Sequence, residues 1–153
     1  MSQINLSSMK VIGITVRTSN AAGASGTDIP ELWNRFMSEA ILLKIPNRIN
    51  DTIYCVYTYY EGDHTKPFTT LLGCQVTELD TIPHGMTGIE IPKGIYEQVS
   101  VTGNLMNGIV FEAWMHIWQR PLNRTYIADF EVYDEKAADM SNAEVTIFVG
   151  VQS

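Results

Sequence analysis

One carboxylate lies in the middle of a segment that is otherwise rich in aromatic and β-branched residues: Glu131, between Tyr126 and Asp134. The composition of this segment predicts a β-strand, and Asn123 and Arg124 are typical of a strand boundary. An ionised carboxylate is costly to bury unless another group pairs with it. Glu131 therefore either faces water on the solvated side of an antiparallel sheet or forms the polar centre of a binding site.

The alternation of side chains along a strand divides this segment between two faces of the predicted sheet. One face is formed by Ile127, Asp129, Glu131 and Tyr133. The other face is formed by Tyr126, Phe130 and Val132. Glu131 thus shares its face with Tyr133 and lies between two apolar neighbours in sequence. This placement favours an aromatic environment for the carboxylate.

A carboxylate in an aromatic pocket supports two kinds of chemistry. An organic cation can offset the desolvation cost of the acid, and each aromatic face adds a cation–π attraction of roughly 0.5–2 kcal/mol. Such a pocket would accept several amphiphilic compounds of suitable charge and shape. Alternatively, desolvation would raise the pKa of Glu131, which suits a general base near neutral pH. Both interpretations stay open at this point.

Composition narrows the class of protein. The chain has 153 residues, of which 45% are hydrophobic and 18% charged, and this predicts one domain with a substantial core. Its net charge is −7 and its basic residues form no cluster, which argues against nucleic-acid binding. The sequence shows neither a signal peptide nor an apolar stretch long enough to span a membrane, so we expect a cytoplasmic protein without membrane contact.

The sequence predicts neither a metal site nor a cofactor. His64, His84 and His116 lie far apart on different predicted elements, and no acid or cysteine pair has the spacing of metal ligands. Cys55 and Cys74 lie within predicted strands, where we expect reduced and half-buried thiols rather than a disulfide.

Hydrophobic periodicity predicts two helices and six strands. The first helix begins at the cap Asp28 and ends before Pro46. The second helix begins after the cap Asn107 and ends at Pro121. The predicted strands are Lys10–Thr18, Ile53–Tyr60, Leu71–Leu79, Ile95–Val101, Tyr126–Asp134 and Glu144–Val151. The remaining segments are predicted to be irregular: a loose leader over 1–8, a flexible loop over 19–27 and a turn-rich connection over 81–88.

The predicted elements follow the order strand–helix–strand–strand twice, which indicates an internal duplication of a βαββ unit. The first half covers residues 9–79 and the second half 91–151 of a single domain spanning 1–153. When the aromatic patterns of the two halves are aligned, Thr58 matches Glu131. We therefore predict pseudo-two-fold symmetry, with a groove between the halves in which the acid has only a neutral counterpart.

Three segments carry a resemblance to a known superfamily: Leu71–Val76, Ile91–Tyr96 and Asp129–Tyr133. Their order and spacing are similar to those of the gyrase-inhibitor-like, or AraC-type, effector-binding domain. From about Met9 to Val151, the chain most resembles free-standing members such as the integron-associated effector-binding proteins. The resemblance implies an α+β fold, in which two βαββ halves form a curved antiparallel sheet with two helices. It also implies a central cleft for small, lipophilic and often cationic molecules.

The resemblance further implies roles for individual residues. In the multidrug-sensing members, the corresponding acid lies at the bottom of the cleft and meets the ligand's positive charge, a role that falls to Glu131. Aromatic side chains in such clefts stack on the ligand. The candidates in this chain are Trp33, Tyr54, Tyr96, Trp114, Trp118 and Tyr133. The spacing of Trp114 and Trp118 is equally compatible with an apolar helix stripe that faces the core.

Three functional hypotheses follow. The favoured one is a stand-alone module that captures small amphiphilic or cationic molecules and either sequesters them or reports them to a protein partner. The second is a hydrolase of strained cyclopropane-bearing compounds, as in some relatives, with Glu131 as general base. The third is an inhibitor that binds another protein, and a homodimer is compatible with all three.

We predict that the protein shows no measurable binding to duplex DNA at physiological salt. Affinity for nucleic acid depends on neutralising phosphates with Lys and Arg, whereas this sequence has a net charge of −7 and no basic stripe. A gel-shift assay checks this, with a basic DNA-binding protein as positive control. A salt-sensitive affinity in the sub-micromolar range would contradict the prediction.

Overall fold

The structure is a computed structural model that describes residues 2–152, so Met1 and Ser153 of the predicted domain lie outside the described residues. Its helices are α1 (Ser25–Ser38), α2 (Ile41–Lys44) and α3 (Ile109–Gln119). Its strands are β1 (Ser2–Leu6), β2 (Met9–Thr18), β3 (Ile53–Thr58), β4 (Phe68–Val76), β5 (Thr87–Ile91), β6 (Gly94–Gly103), β7 (Arg124–Tyr133) and β8 (Ala143–Val151).

The strands form one antiparallel sheet in the order β1-β6-β8-β7-β3-β4-β2-β5. This order is symmetric about the contact between β3 and β7. One side contains the strands of the unit β2-α1-β3-β4, and the other contains those of the unit β6-α3-β7-β8. The outermost strands are exchanged, because β1 pairs with β6 of the second unit and β5 pairs with β2 of the first. The predicted α+β fold, with duplicated βαββ units and a curved antiparallel sheet, is confirmed.

Strand alternation gives the sheet two apolar faces. On the helix face, the sheet is covered by Leu32, Phe36, Ile41, Trp114 and Ile117. On the opposite face, the buried side chains are Val11, Val56, Leu71, Ile89, Ile91, Tyr96, Ala128 and Phe130. None of the described helices contributes to this second core, so the curvature of the sheet itself must remove these side chains from water. Burial on both faces explains why the central strands are apolar on both sides.

The two edge strands, β1 and β5, were not predicted. Strand β1 lies in the segment expected to be a loose leader, and its residues Gln3, Ile4 and Asn5 are exposed, as an edge strand permits. Strand β5 follows the predicted turn-rich connection and contributes only Ile89 and Ile91 to the second core. Neither strand has enough apolar residues to give a periodic signal of its own.

Helix α1 begins at Ser25 rather than at the predicted cap Asp28. The hydroxyl of Ser25 donates a hydrogen bond to Asn20 Oδ1 at 2.9 Å, and a 3-10 turn at 21–23 leads directly into the helix. At the other end, Ala40 adopts a φ of 50° and separates α1 from the one-turn helix α2. Much of the predicted flexible loop is therefore ordered, because its small residues are compatible with a helical turn.

The predicted correspondence between Thr58 and Glu131 is wrong. Thr58 pairs with Ala128 across the contact between β3 and β7, whereas Glu131 pairs with Cys55. Cross-strand partners point to the same face of a sheet and neighbours along a strand alternate. Thr58 therefore lies on the face of the second core and Glu131 lies on the helix face. The alignment of the two halves by their aromatic residues is therefore wrong by an odd number of residues, because it matches side chains on opposite faces of the sheet.

The close approach of β2 and β4 depends on a pair of glycines. Gly13 and Gly73 are cross-strand partners. A Cβ atom on Gly73 would lie 2.0 Å from the carbonyl oxygen of Ile12, and one on Gly13 would lie 2.1 Å from that of Leu72. Because these neighbours are backbone atoms, the two strands would have to separate to admit a side chain.

We predict that Gly73→Ala destabilises the protein by about 1–3 kcal/mol or more, the usual range for an overpacked interior site. Gly94→Ala is the matched control, since Gly94 also lies in a strand and a Cβ atom there would have no described neighbour within 4 Å beyond the adjacent residues of the chain. The control should change stability by less than about 0.5 kcal/mol. Chemical denaturation of both variants checks the difference, and equal stabilities would contradict this account of the strand contact.

Candidate functional site

A cavity of about 1240 Å³ lies on the helix face of the sheet and is lined by both α1 and α3. Its floor includes Tyr57 of β3 and Glu131 and Tyr133 of β7. Trp33 of α1 and Trp114 of α3 contribute to its walls. A cavity of this size can hold a drug-sized organic molecule, since known ligand pockets measure about 300–1000 Å³.

Three donors hold the carboxylate of Glu131, which is only 2% exposed. Its Oε2 accepts hydrogen bonds from the Tyr57 hydroxyl and from Trp114 Nε1, both at 2.6 Å. Its Oε1 accepts a hydrogen bond from the Tyr133 hydroxyl, also at 2.6 Å. An ionised carboxylate can accept about four hydrogen bonds, so the site leaves acceptor capacity for a ligand. All three donors are neutral, so the negative charge has no cationic partner among them.

Burial and hydrogen bonding act on the ionisation of Glu131 in opposite directions. Desolvation raises the pKa of Glu131 above its ordinary value, and the hydrogen bonds from Tyr133, Tyr57 and Trp114 lower it in part. The neighbouring Cys55 thiol, which donates to the Tyr57 hydroxyl at 3.4 Å, has a pKa raised well above the ordinary value by its own burial and by the nearby Glu131 charge. Burial and the nearby carboxylate thus both disfavour the thiolate form of Cys55.

The aromatic walls of the cavity are connected by ring contacts. Trp33 meets the edge of Tyr133 with ring centroids 4.7 Å apart. Trp118 stacks on His64 at 5.0 Å with an interplanar angle of 9°. Trp33, Trp114, Trp118 and Tyr133, which were predicted as ligand-facing aromatics, all line the cavity with Glu131. Trp114 combines both of its predicted alternatives, because it packs in the core and also faces the cavity.

The prediction that Tyr54 and Tyr96 face the cleft is wrong. Both pack on the opposite face of the sheet against Phe130, with ring centroids 6.0 Å and 5.5 Å away, respectively. Tyr54 is one residue out of phase with Cys55, the cross-strand partner of Glu131, so alternation directs it to the second core. The hydroxyl of Tyr96 donates to the carbonyl oxygen of Pro92 at 2.9 Å. Their aromatic character suggested a place in the ligand cleft, but the alternation of side chains along their strands directs both to the opposite face of the sheet.

A buried ion pair forms a second polar feature, which no pattern in the sequence predicted. Arg124 Nη2 lies 2.6 Å from Asp129 Oδ2, and the two side chains are 4% and 0% exposed. Asp129 also accepts hydrogen bonds from the Tyr60 hydroxyl and the Gly150 amide. The pairing of β7 with β8 shifts register between Arg124 and Asp129, and this irregularity brings the two residues together.

Charged side chains give the cavity a negative character. Its carboxylates are Asp51, Glu131, Asp134 and Glu135, and Arg124 is its one guanidinium among the described lining residues. Two of these charges are already paired with residues that do not line the cavity: Arg124 pairs with Asp129, and Asp51 pairs with Arg48 at 3.4 Å. A cationic ligand would therefore experience a favourable potential, and an anionic one would not.

Other chemical centres are not evident within residues 2–152. No group of three or more His, Cys, Asp or Glu side chains in this range could hold a metal ion. Cys55 and Cys74 are both free, and both are fully buried rather than half-buried as predicted. Over the same range, no helix is long and apolar enough to cross a membrane.

Comparison with known sequences identifies relatives. The family described as integron-associated effector binding protein matches residues 4–151. The chain is also 30% identical over 145 residues to YobU of Bacillus subtilis (strain 168), which is named as a candidate transcriptional regulator. That match covers 92% of this chain and 90% of YobU.

Solved structures share the fold. Integron cassette protein VCH_CASS2, from the mobile metagenome of Vibrio cholerae, has a TM-score of 0.76 and 27% identity, and the match covers 99% of this chain and 95% of that one. The structure of SAV2435 bound to tetraphenylphosphonium has a TM-score of 0.75 and 15% identity, with coverage of 99% and 93%. At this identity, the second likeness concerns the fold alone.

We predict that Glu131→Gln raises the melting temperature at pH 7. The pKa of Glu131 is higher in the folded protein than in the unfolded chain, so the folded protein binds the proton more tightly. The free energy of unfolding therefore falls as the pH rises from 4.5, the ordinary pKa, through the raised pKa of the folded state. Gln is neutral throughout this window. Its carbonyl can accept from Tyr57 and Trp114 while its amide donates to the Tyr133 hydroxyl, so all three contacts can persist.

Thermal melts of both proteins between pH 4 and 8 check this prediction. In a domain of this size each kcal/mol corresponds to about 2–4 °C in melting temperature. The advantage of the variant should narrow as the pH falls toward 4.5, the ordinary glutamate value. Glu90→Gln is the control, because Glu90 is exposed on β5 and its loss removes one charge without touching the site. A variant less stable than wild type at pH 7 would contradict the prediction.

Proposed function

The chain belongs to the family of integron-associated effector-binding proteins, and from this premise we propose that it binds small, lipophilic organic cations in the cavity above Glu131. The observation that carries the proposal is the buried carboxylate of Glu131, held by three neutral donors on the floor of an aromatic cavity. Because these donors are neutral, a cationic ligand would be the group that neutralises the charge of Glu131. Effector binding, rather than catalysis, is the activity that this arrangement supports best.

The energetics favour a cation over a neutral molecule of the same shape. The folded protein bears the desolvation cost of ionised Glu131 before any ligand binds, so a cation that enters gains Coulomb attraction in a medium where water screens little. The rings of Trp33 and Trp118 offer further cation–π attraction of roughly 0.5–2 kcal/mol each. Because none of these contacts demands one molecular shape, the site would tolerate a range of amphiphilic cations.

The hydrolytic alternative is less well supported by the geometry. A general base needs a lone pair that is available to a substrate or to water, and its basicity falls with each hydrogen bond that it accepts. Glu131 accepts three hydrogen bonds of 2.6 Å, which leave about one of its four acceptor positions for a water or a substrate. We therefore place Glu131 in a binding role, and its loss should weaken affinity for cations rather than abolish a turnover.

We predict that tetraphenylphosphonium, the ligand present in the SAV2435 structure, binds this protein and that Glu131→Gln weakens the binding by about 1–3 kcal/mol, or roughly 5- to 150-fold. The amide keeps the shape of the site and removes its charge. Isothermal titration calorimetry at pH 7 measures both affinities.

Two controls make the result specific. Tetraphenylmethane carrying one polar solubilising group is neutral and similar in shape, and its affinity should change little in the variant. Glu90→Gln removes one surface charge from exposed β5 and should leave the affinity for tetraphenylphosphonium within about twofold, because exposed charges are screened by salt. Equal binding of the cation by wild type and Glu131→Gln would contradict the proposal.

A further inference from the structure

A second polar group faces the same cavity and has unused hydrogen-bonding capacity. Arg124 lines the cavity, and its side chain is 4% exposed. Its Nη2 donates to Asp129, but its Nε and Nη1 are buried and have no hydrogen-bond partner among the described residues. A guanidinium carries five N–H donors, and buried charged donors without acceptors are costly. A hydrogen-bond acceptor beside the Arg124 guanidinium would therefore stabilise the protein.

Aromatic rings fix the plane of the guanidinium. Its Cζ lies 4.3 Å from the ring centroid of Tyr126 and 5.8 Å from that of Trp114. Stacking of this kind leaves the N–H groups free to donate in the plane of the guanidinium. Asp129 balances the positive charge, so Arg124 offers hydrogen bonds without strongly repelling a cation that occupies the rest of the cavity.

Trp114 links the two polar groups of the site. Its Nε1 donates to Glu131 at 2.6 Å, and its ring faces the guanidinium of Arg124. One indole thus contacts both the negative and the hydrogen-bond-donating part of the cavity. A single molecule that lies along this indole would be able to meet both groups.

We propose that the preferred ligands are organic cations that also carry an oxygen acceptor, such as a carbonyl, a short distance from the positive charge. The cation would lie near Glu131, and the oxygen would accept from the guanidinium of Arg124, whose Nε and Nη1 have no other acceptor among the described residues. This inference rests on the proposed cation-binding function and narrows its ligand class. It assigns to Arg124 a role in specificity in addition to its structural pairing with Asp129.

Two phosphonium compounds of matched length test the inference: hexyltriphenylphosphonium and (4-methoxy-4-oxobutyl)triphenylphosphonium. Both carry one positive charge and a chain of six heavy atoms, but only the ester offers a carbonyl oxygen. The ester is the less hydrophobic of the two, so apolar burial alone favours the hexyl compound. We expect wild type to bind the ester at least about threefold more tightly, as one added hydrogen bond to a charged group predicts.

Arg124→Lys removes the planar guanidinium and retains a positive charge for Asp129. In this variant the order of affinities should reverse in favour of the hexyl compound. Wild type that binds the ester no better than the hexyl compound would overturn the inference, and this comparison decides the matter even if Arg124→Lys does not fold. An ester preference that persists unchanged in folded Arg124→Lys would overturn it as well.

The outcome for the proposed function is separate. Hexyltriphenylphosphonium that binds wild type and loses affinity in Glu131→Gln supports cation binding whatever the ester does. Failure of both phosphonium compounds to bind wild type would overturn the proposed function and, with it, the inference about Arg124.

Discussion

The buried carboxylate of Glu131 is the interaction on which the site depends. An ionised group that is 2% exposed can persist only where surrounding donors replace much of its hydration. Here the donors come from three places: Tyr57 on β3, Tyr133 on β7 and Trp114 on α3. The carboxylate therefore connects both halves of the sheet and helix α3 through hydrogen bonds. It also leaves a negative charge that no cation within this donor set neutralises.

The architecture explains how such a charge can be placed on a sheet. The second core packs on the opposite face of β3 and β7 and closes over itself by curvature, so these strands are stable without a continuous helix layer on the other side. The helix face is then free to hold a cavity between α1 and α3. The Arg124–Asp129 pair at the start of β7 places a second charged group against the same cavity without adding net charge.

Much of this arrangement could be predicted from the sequence, and the reasons for success and failure are physical. The acid within an aromatic strand predicted the centre of the site, because buried carboxylates are rare and need partners. The regular apolar stripes of α1 and α3 predicted which helices pack on the sheet. The duplicated order of elements, with the resemblance to effector-binding domains, predicted the fold.

The errors arose where composition was used without strand parity or long-range pairing. Tyr54 and Tyr96 have the right chemistry, but each lies on the face of the second core. Tyr57, which holds Glu131, has the right parity within the predicted strand Ile53–Tyr60 and could have been found by that criterion. Arg124 could not, because its contact with Asp129 depends on a register shift that no short-range pattern encodes. The edge strands were missed since edges need few apolar residues.

The central claim is that Glu131 is ionised, buried and available to a cation, and the most direct measurement is its own titration. Carbon-13 NMR of the Glu131 carboxyl carbon, assigned by its disappearance in Glu131→Gln, reports the pKa with and without tetraphenylphosphonium. The account predicts a pKa above the ordinary 4.5 in the free protein, because burial outweighs the three hydrogen bonds. It predicts a lower pKa in the complex, because a bound cation favours the charged form. A carboxyl whose pKa does not respond to the cation, or one that is still protonated at pH 7 in the complex, would contradict the account.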